Sequence, residues 1–244
     1  GYKGADGTAN TGGGGGGGGA NKGGGNGGSG IVIIRYKIWG IQMKKELFVV
    51  IVNDYFPELC DIIVPYIKQY ADKIDAKFTI ISERKFHLFP PTYEKLQIYD
   101  LGRDNDYNIL LDVDMLISKD MYDVTEMVTD KIGVWMDYDV NYLFKDFKYP
   151  KGLATNFVVV PRCCHEVWKP VNKFEEIRDK LVRPFIVDEY IFSKNLWEQN
   201  YKYTGIIYRG VEGKYFYHLN VNTDDVEVKE TLLKTCKLFL EGSE

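Results

Sequence analysis

The sequence predicts an α/β protein: a mixed, mostly parallel sheet flanked by helices, preceded by a glycine-rich N-terminal extension. Three observations predict it. Continuous apolar, β-branched runs recur along the chain, as in LFVVIV (Leu47 to Val52) and FVVV (Phe157 to Val160); strands covered on both faces read this way. Segments with apolar residues at three- and four-residue spacing alternate with those runs, which is the pattern of helices laid over a parallel sheet. Finally, 17 of the 25 glycines fall in residues 1–30, leaving 8 over the following 214.

The extension, residues 1–42, holds an unbroken glycine run from Gly12 to Gly19. Glycine buries no side chain and has the most backbone entropy to lose, so the run alone is expected to be a flexible tether. A short strand-like run, Ile31 to Tyr36, follows it. A polyglycine tract ending in GGSGIVIIRY resembles the C-terminal ends of glycine-rich bacteriophage tail-fibre proteins, in which such tracts pack as polyproline-II-like helices. That resemblance implies a structural extension and association with a virion; a passive linker or a fused reading frame is the plainer alternative. Met43-Lys44-Lys45 reads as the start of the second domain, residues 43–244.

Leu47 to Val52 is the first strand, ended by Asn53-Asp54-Tyr55. Leu59, Ile62, Ile63, Tyr66, Ile67 and Tyr70 are spaced as a helix; an interior Pro65 costs about 3 kcal/mol, which predicts a regular helix starting near Val64. Ala76 to Ile81 is the second strand, completing a βαβ unit. Pro91 opens a shorter helix over Tyr93 to Leu101, stopped by Gly102. Asn108 to Leu111 is the third strand, Lys131 to Met136 another, and Phe157 to Val160 a further one closed by Pro161. Between the last two, residues 137–150 form a long aromatic and charged loop of the kind that carries function. A helix over Asp188 to Asn200, short strands at Gly205 to Tyr208 and Lys214 to His218, and a helix from about Val226 to Leu240 complete the chain.

The totals narrow the function. With 45% apolar residues the globular part is large enough for a real core. A net charge of −4 without a basic stripe argues against nucleic-acid binding. No apolar run reaches the ~20 residues of a membrane span and no signal-peptide layout opens the chain, so a soluble, cytoplasmic protein is expected. Cys60, Cys163, Cys164 and Cys236 lack metal-binding spacing and read as reduced thiols.

The chemistry gathers at NILLDVDMLI (Asn108 to Ile117). An apolar strand feeds Asp112 and Asp114, and a second apolar run follows. Along extended backbone these two carboxylates share a face while Val113 points to the core. Two such carboxylates repel each other unless a cation lies between them, and a hard divalent ion suits oxygen donors. Ordinary strand-end aspartates are the bland alternative.

The NDY strand end, the YEKLQIYDL helix, the DVD strand end, ATNFVVVPR, a DE pair and a late histidine together resemble a GT-A (Rossmann-like) glycosyltransferase. The likeness is to glycogenin, the family 8 retaining galactosyltransferases and related bacteriophage enzymes, over Leu47 to about Asn222. It implies a nucleotide-sugar donor, a UDP-sugar first, with Mn²⁺ or Mg²⁺ held by Asp112, Asp114 and His218. It also implies donor contacts from Asn53, Asp54, Tyr55, Lys95 and the Asp112-Val113-Asp114 stretch. Asp188 and Glu189 match the pair beside the acceptor and the reacting carbon; Asp188 also suits a helix N-cap. Thr155 and Asn156 match the family's acceptor segment loosely, with the order swapped and Phe157 in place of glycine. The acceptor, carbohydrate or protein, is not identified by these residues.

Two other functions fit parts of the chain. A haloacid-dehalogenase-type phosphatase also ends a strand in an aspartate pair, but continues with threonine where this chain has Met115-Leu116. A non-enzymatic virion or sugar-binding module would give the glycine tract the main role.

Overall fold

A computed structural model describes residues 1–9, 11–30, 42–139, 143–206, 216–219 and 226–241. Its contacts divide the chain into two units, Gly1–Gln42 and Met43–Glu244. The strand-like run expected at Ile31 to Tyr36 lies outside the described residues.

In the first unit the glycine tract is not a loose tether. Three extended segments, residues 1–8, 12–19 and 23–30, run side by side and exchange backbone hydrogen bonds. Gly4 and Gly7 donate to Gly23 and Asn26, Gly16 and Gly19 donate to Ala5 and Tyr2, and Gly25 and Gly28 donate to Gly16 and Gly13, at 2.8–3.2 Å. The donors recur every third residue, as a three-residue polyproline-II turn demands, and those bonds compensate the entropy of ordering. The same period explains the glycines. A Cβ on Gly4 would lie 2.0 Å from the Gly16 carbonyl oxygen and one on Gly25 1.9 Å from that of Ala5, whereas Gly14 and Gly17 meet nothing within 4 Å.

In the second unit β1 (Lys45–Val50), α1 (Pro57–Lys73) and β2 (Ala76–Ile81) form the expected βαβ start, with β1 and β2 parallel. Helix α1 begins at Pro57 rather than near Val64, and Pro65 sits inside it. Pro65 and Asp61, the residue whose carbonyl loses its usual helical donor, are both exposed, while Leu59, Ile63, Ile67 and Tyr70 are buried on the other side. Residues 91–97 form a 3₁₀ turn that passes into α2 (Ile98–Leu101). Gly102 follows, and a Cβ there would strike the side chain of buried Asn108 at 2.2 Å.

The remaining elements are β3 (Tyr107–Leu111), β4 (Met115–Ile117), β5 (Ile132–Val134), β6 (Asp137–Tyr138), β7 (Gly152–Leu153), β8 (Phe157–Pro161), α3 (Glu175–Arg178), α4 (Val187–Glu198), β9 (Tyr203–Gly205), β10 (Phe216–His218) and α5 (Val226–Glu241). Six strands make one sheet in the order β2-β1-β3-β8-β5-β9. Strand β8 is antiparallel to β3 and β5; the other pairs are parallel. Alternation splits the core in two. Leu47, Val49, Ile109, Leu111, Phe157 and Val159 join the cluster of α1, whereas Phe48, Leu110, Val158 and Val160 join that of α4.

Strands β1 and β3 are neighbours, and β2 lies on the far side of β1. The order therefore reverses between β1 and β3, where an open α/β sheet forms a crevice beyond its strand ends. A separate pairing of β10 with β4 sets His218 opposite Met115.

The glycine register is directly testable. Gly4→Ala or Gly25→Ala in the full chain should erase the polyproline-II circular-dichroism signal and the amide-exchange protection of residues 1–30, while Gly17→Ala should leave both in place.

Candidate active site

At the β1–β3 crevice lies a cavity of about 370 Å³ whose walls include Val52, Tyr55, Lys95, Asp112, Asp114, Asn156, Asp188, Glu189 and His218. Apolar strand residues build the floor and charged residues arrive at strand ends and first helical turns. Val113 also lines it while belonging largely to the core.

The two aspartates of the DVD stretch reach this cavity by a different route from the extended one expected. β3 ends at Leu111 and residues 112–114 form a turn, with the Met115 amide donating to the Asp112 carbonyl at 3.0 Å. Strand alternation therefore does not govern this segment. The turn separates the partners of the two side chains: Asp112 meets Lys95, and Asp114 meets His218.

Lys95, 6% exposed, is the hub. Its Nζ lies 2.8 and 3.0 Å from the two carboxylate oxygens of Asp112, 3.0 Å from Asp188 Oδ2 and 3.3 Å from Thr155 Oγ1. Thr155 in turn donates to Asp188 Oδ2 at 2.6 Å. Burial alone would depress the lysine pKa, but the charges of Asp112 and Asp188 outweigh it and raise the value. Asp188, expected to cap α4 or act beside the acceptor, caps nothing: it sits in the first turn of the helix, 2% exposed, held by Lys95 and Thr155.

Lys95 owes its place to its sequence neighbour. Glu94, fully buried, accepts from Arg84 Nε at 2.8 Å, the amides of Lys85 and Phe86 at 2.9 and 3.0 Å, and Gln97 Nε2 at 2.7 Å. These bonds tie the 3₁₀ turn to the preceding loop.

Burial lifts the Asp112 carboxyl to about 6; the Lys95 charge opposes the rise and Asp114 adds to it. For Glu189 burial and the Asp188 charge raise the value to about 7 against the hydrogen bond from Tyr138, whose hydroxyl lies 2.5 Å from Oε2. Burial would lower the His218 pKa, but the hydrogen bond to Asp114 and the charges of Asp114 and Asp112 leave it raised. Burial, then the charges of Asp114 and Asp112, push the Tyr55 phenol up.

His218 Nε2 lies 3.4 Å from Asp114 Oδ2, and Nδ1 lies 3.4 Å from Asn156 Nδ2. The Asn156 Oδ1 atom is buried without a hydrogen-bond partner. Exchanging oxygen and nitrogen of that amide would let the orphaned oxygen accept from His218 Nδ1–H, so that Nε2, which faces Asp114, could ligate once it has lost its proton. The oxygen and imidazole donors of Asp114 and His218 thus fit a hard or borderline divalent ion, and the Asp112 carboxylate keeps lone pairs beyond those Lys95 uses. Among the described residues no three of His, Cys, Asp and Glu already stand together at metal-binding geometry.

Of the NDY residues, Tyr55 lines the cavity, while Asn53 and Asp54 are exposed and are not among its lining side chains. Tyr138 and Glu94 escaped the sequence analysis. One is a tyrosine in an aromatic-rich loop and the other a glutamate in a helix-like run, so neither carries a local signal.

No protein-family model and no curated protein matches the chain. Among solved structures, a glycosyltransferase involved in glycosylation of the major capsid of PBCV-1 is similar at a TM-score of 0.50 with 9% identity, covering 79% of this chain and 99% of that one. The galactosyltransferase LgtC in complex with donor and acceptor sugar analogues gives 0.45 with 12% identity, covering 66% and 73%. A Drosophila beta-1,4-galactosyltransferase 7 mutant in complex with manganese, UDP-Gal and xylobiose gives 0.41 with 14% identity, covering 78% and 79%. The second unit has the mixed, mostly parallel α/β architecture of GT-A folds. No described helix is long and apolar enough to cross a membrane.

Removing the hub has a signed consequence. Lys95→Met should cost roughly 3–5 kcal/mol at pH 8, the usual loss when one partner of a buried pair is deleted. The Asp112 carboxyl, already raised to about 6, loses the charge that opposes its burial. The native state then holds protons that the unfolded chain releases, so stability falls as pH rises through that range and the deficit shrinks toward pH 5. Urea midpoints of both proteins at pH 5 and 8 check this.

Proposed function

We propose that the second unit is a metal-dependent glycosyltransferase that takes a sugar from a nucleotide-sugar, a UDP-sugar in the first instance, and passes it to a hydroxyl-bearing acceptor. The observation that carries this reading is the cavity's charge imbalance. Among the described residues that line it, Asp112, Asp114, Asp188 and Glu189 face one lysine and one histidine. Even with His218 protonated the acids outnumber the cations, and a bound divalent ion redresses that imbalance and gives an anionic diphosphate a cation to meet.

In this reading Asp112, Asp114 and His218 hold Mn²⁺ or Mg²⁺. The ion supplies charge stabilisation to a departing nucleoside diphosphate. The chain's own groups do the rest. Lys95 fixes Asp112 and adds positive potential at the diphosphate end. Tyr55, at the mouth, offers a ring face on which a base stacks. Val50, Val52 and Pro91 wall part of the cavity with apolar surface, which excludes water and strengthens the polar contacts inside. A volume of about 370 Å³ is at the lower end of the range for small-molecule sites, enough for much of a nucleotide-sugar with part of it in the open mouth. The PBCV-1 capsid glycosyltransferase shares the fold, and the present reading extends that likeness to donor chemistry.

Calorimetry tests it. UDP should bind in the presence of Mn²⁺ and at least about tenfold more weakly with chelator, a difference of ~1.4 kcal/mol. Asp114→Asn should weaken the Mn²⁺-dependent binding by a similar factor. Equal UDP affinity with and without metal, or no UDP binding at all, would refute the assignment.

A further inference from the structure

Between the two acids at the start of α4 the structure divides the work unequally. Asp188 Oδ2 already accepts from Lys95 and Thr155. Glu189, half-buried and without an ion-pair partner among the described residues, takes one side-chain hydrogen bond, from the Tyr138 hydroxyl to Oε2. Its other oxygen, like Asp188 Oδ1, has no side-chain donor among the described residues, and the side chain lines the cavity.

Tyr138 is not a casual neighbour. It lies on β6, which pairs with β7 so that Tyr138 stands opposite Gly152. A Cβ on Gly152 would come within 2.5 Å of Tyr138 Cε2 and 2.8 Å of Cζ, so the missing side chain is the space the ring occupies. The Leu153 amide then donates to Ser193 Oγ at 2.9 Å, and Ser193 is fully buried on α4. The ribbon that carries Tyr138 is thereby fastened to the helix that carries Glu189. Burial and the Glu189 charge hold the phenol's pKa well above its usual value, so it remains a donor.

We propose that Tyr138 is a positioning residue that orients Glu189 toward the cavity, where the Glu189 carboxylate takes the proton of the acceptor hydroxyl. The inference rests on the glycosyltransferase reading above. In the step it serves, a bond forms between the acceptor oxygen and the anomeric carbon, and the bond from that carbon to the phosphate oxygen breaks. The acceptor proton passes to Glu189, and the electron pair of the broken bond leaves with the nucleoside diphosphate. A carboxyl held near neutrality is matched to this work. The groups that face it are Asp188 on its own helix, Tyr138 on β6, Lys95 on the 3₁₀ turn and Asp112 at the end of β3.

A phenol that donates to a carboxylate favours the charged form, so Tyr138→Phe should raise the Glu189 pKa while keeping the ring in its slot. With water as the acceptor, Mn²⁺-dependent hydrolysis of UDP-glucose and UDP-galactose should show its acid limb moved to higher pH by on the order of one unit. That is about a tenfold loss at pH 6.5 and a much smaller loss at pH 9. Gly152→Ala, which presses on the ring, should move the limb in the same direction. The same displacement is read without turnover from the Glu189 carboxyl carbon in protein labelled with ¹³C-glutamate, assigned through Glu189→Gln. A titration of that carbon unchanged by Tyr138→Phe overturns the proposal even if UDP still binds with Mn²⁺. Absence of Mn²⁺-dependent UDP binding by the unaltered protein overturns the underlying reading instead.

Discussion

The cavity is organised by a buried ammonium. Lys95 joins three parts of the chain that sequence order keeps apart: the 3₁₀ turn, the end of β3 through Asp112, and the first turn of α4 through Asp188. A lone cation in that place would be prohibitively desolvated, and two buried carboxylates without it would be no better. Each group is tolerable only because the others are there. Thr155, between lysine and aspartate, fills a remaining hydrogen-bonding position. The fold thus fixes the polar centre by mutual need, and the saturated Glu94 beneath it keeps the lysine from retreating.

From this constraint follows the different character of four acids lining one space. Asp188 is spent on the lysine and threonine. Asp112 is bound on both oxygens but sits at a turn, partly open to the cavity, and its carboxyl is lifted by burial. Asp114 is turned toward His218, where the imidazole and the orphaned Asn156 oxygen form a unit suited to an ion. Glu189 has no ion-pair partner among the described residues and meets the Tyr138 hydroxyl instead. Similar side chains acquire separate chemistry because their neighbours differ, which is how a protein separates charge-binding from proton-transfer roles.

Much of this was legible in the residues. The apolar runs located β1, β3 and β8, because strands covered on both faces must be apolar throughout. The DVD stretch advertised itself because charge so rarely interrupts such a run. What escaped depends on contacts between distant segments. The turn at residues 112–114 reflects pairing of β4 with β10, about a hundred residues away, which local alternation does not encode. Pro65 looked like a break because the cost of an interior proline is local, while the compensation comes from the buried face of α1. Asp188 looked like a cap because nothing in its vicinity announces Lys95. The polyglycine run read as a tether because entropy is a property of one segment and the hydrogen bonds that offset it belong to three.

The crevice also shows where the backbone itself is strained. Asn53, Asp54 and Phe56 have φ of 57°, 51° and 34°. Asn and Asp visit the left-handed region readily; phenylalanine does so at a cost of about 1–3 kcal/mol. The strain is held by the first turn of α1. The amides of Leu59 and Cys60 donate to the Phe56 carbonyl at 3.0 and 3.1 Å, and Cys60 Sγ donates to the Tyr55 carbonyl at 3.0 Å. A helix whose buried face is locked into the core therefore dictates where Tyr55 stands, on the wall of the cavity. A relaxed loop would release Phe56 and with it the position of that ring. Backbone strain on one side of the crevice and a buried charge on the other do the same physical work: each holds a side chain at the cavity wall, and under the proposed function the ordering cost is met during folding rather than when a ligand arrives.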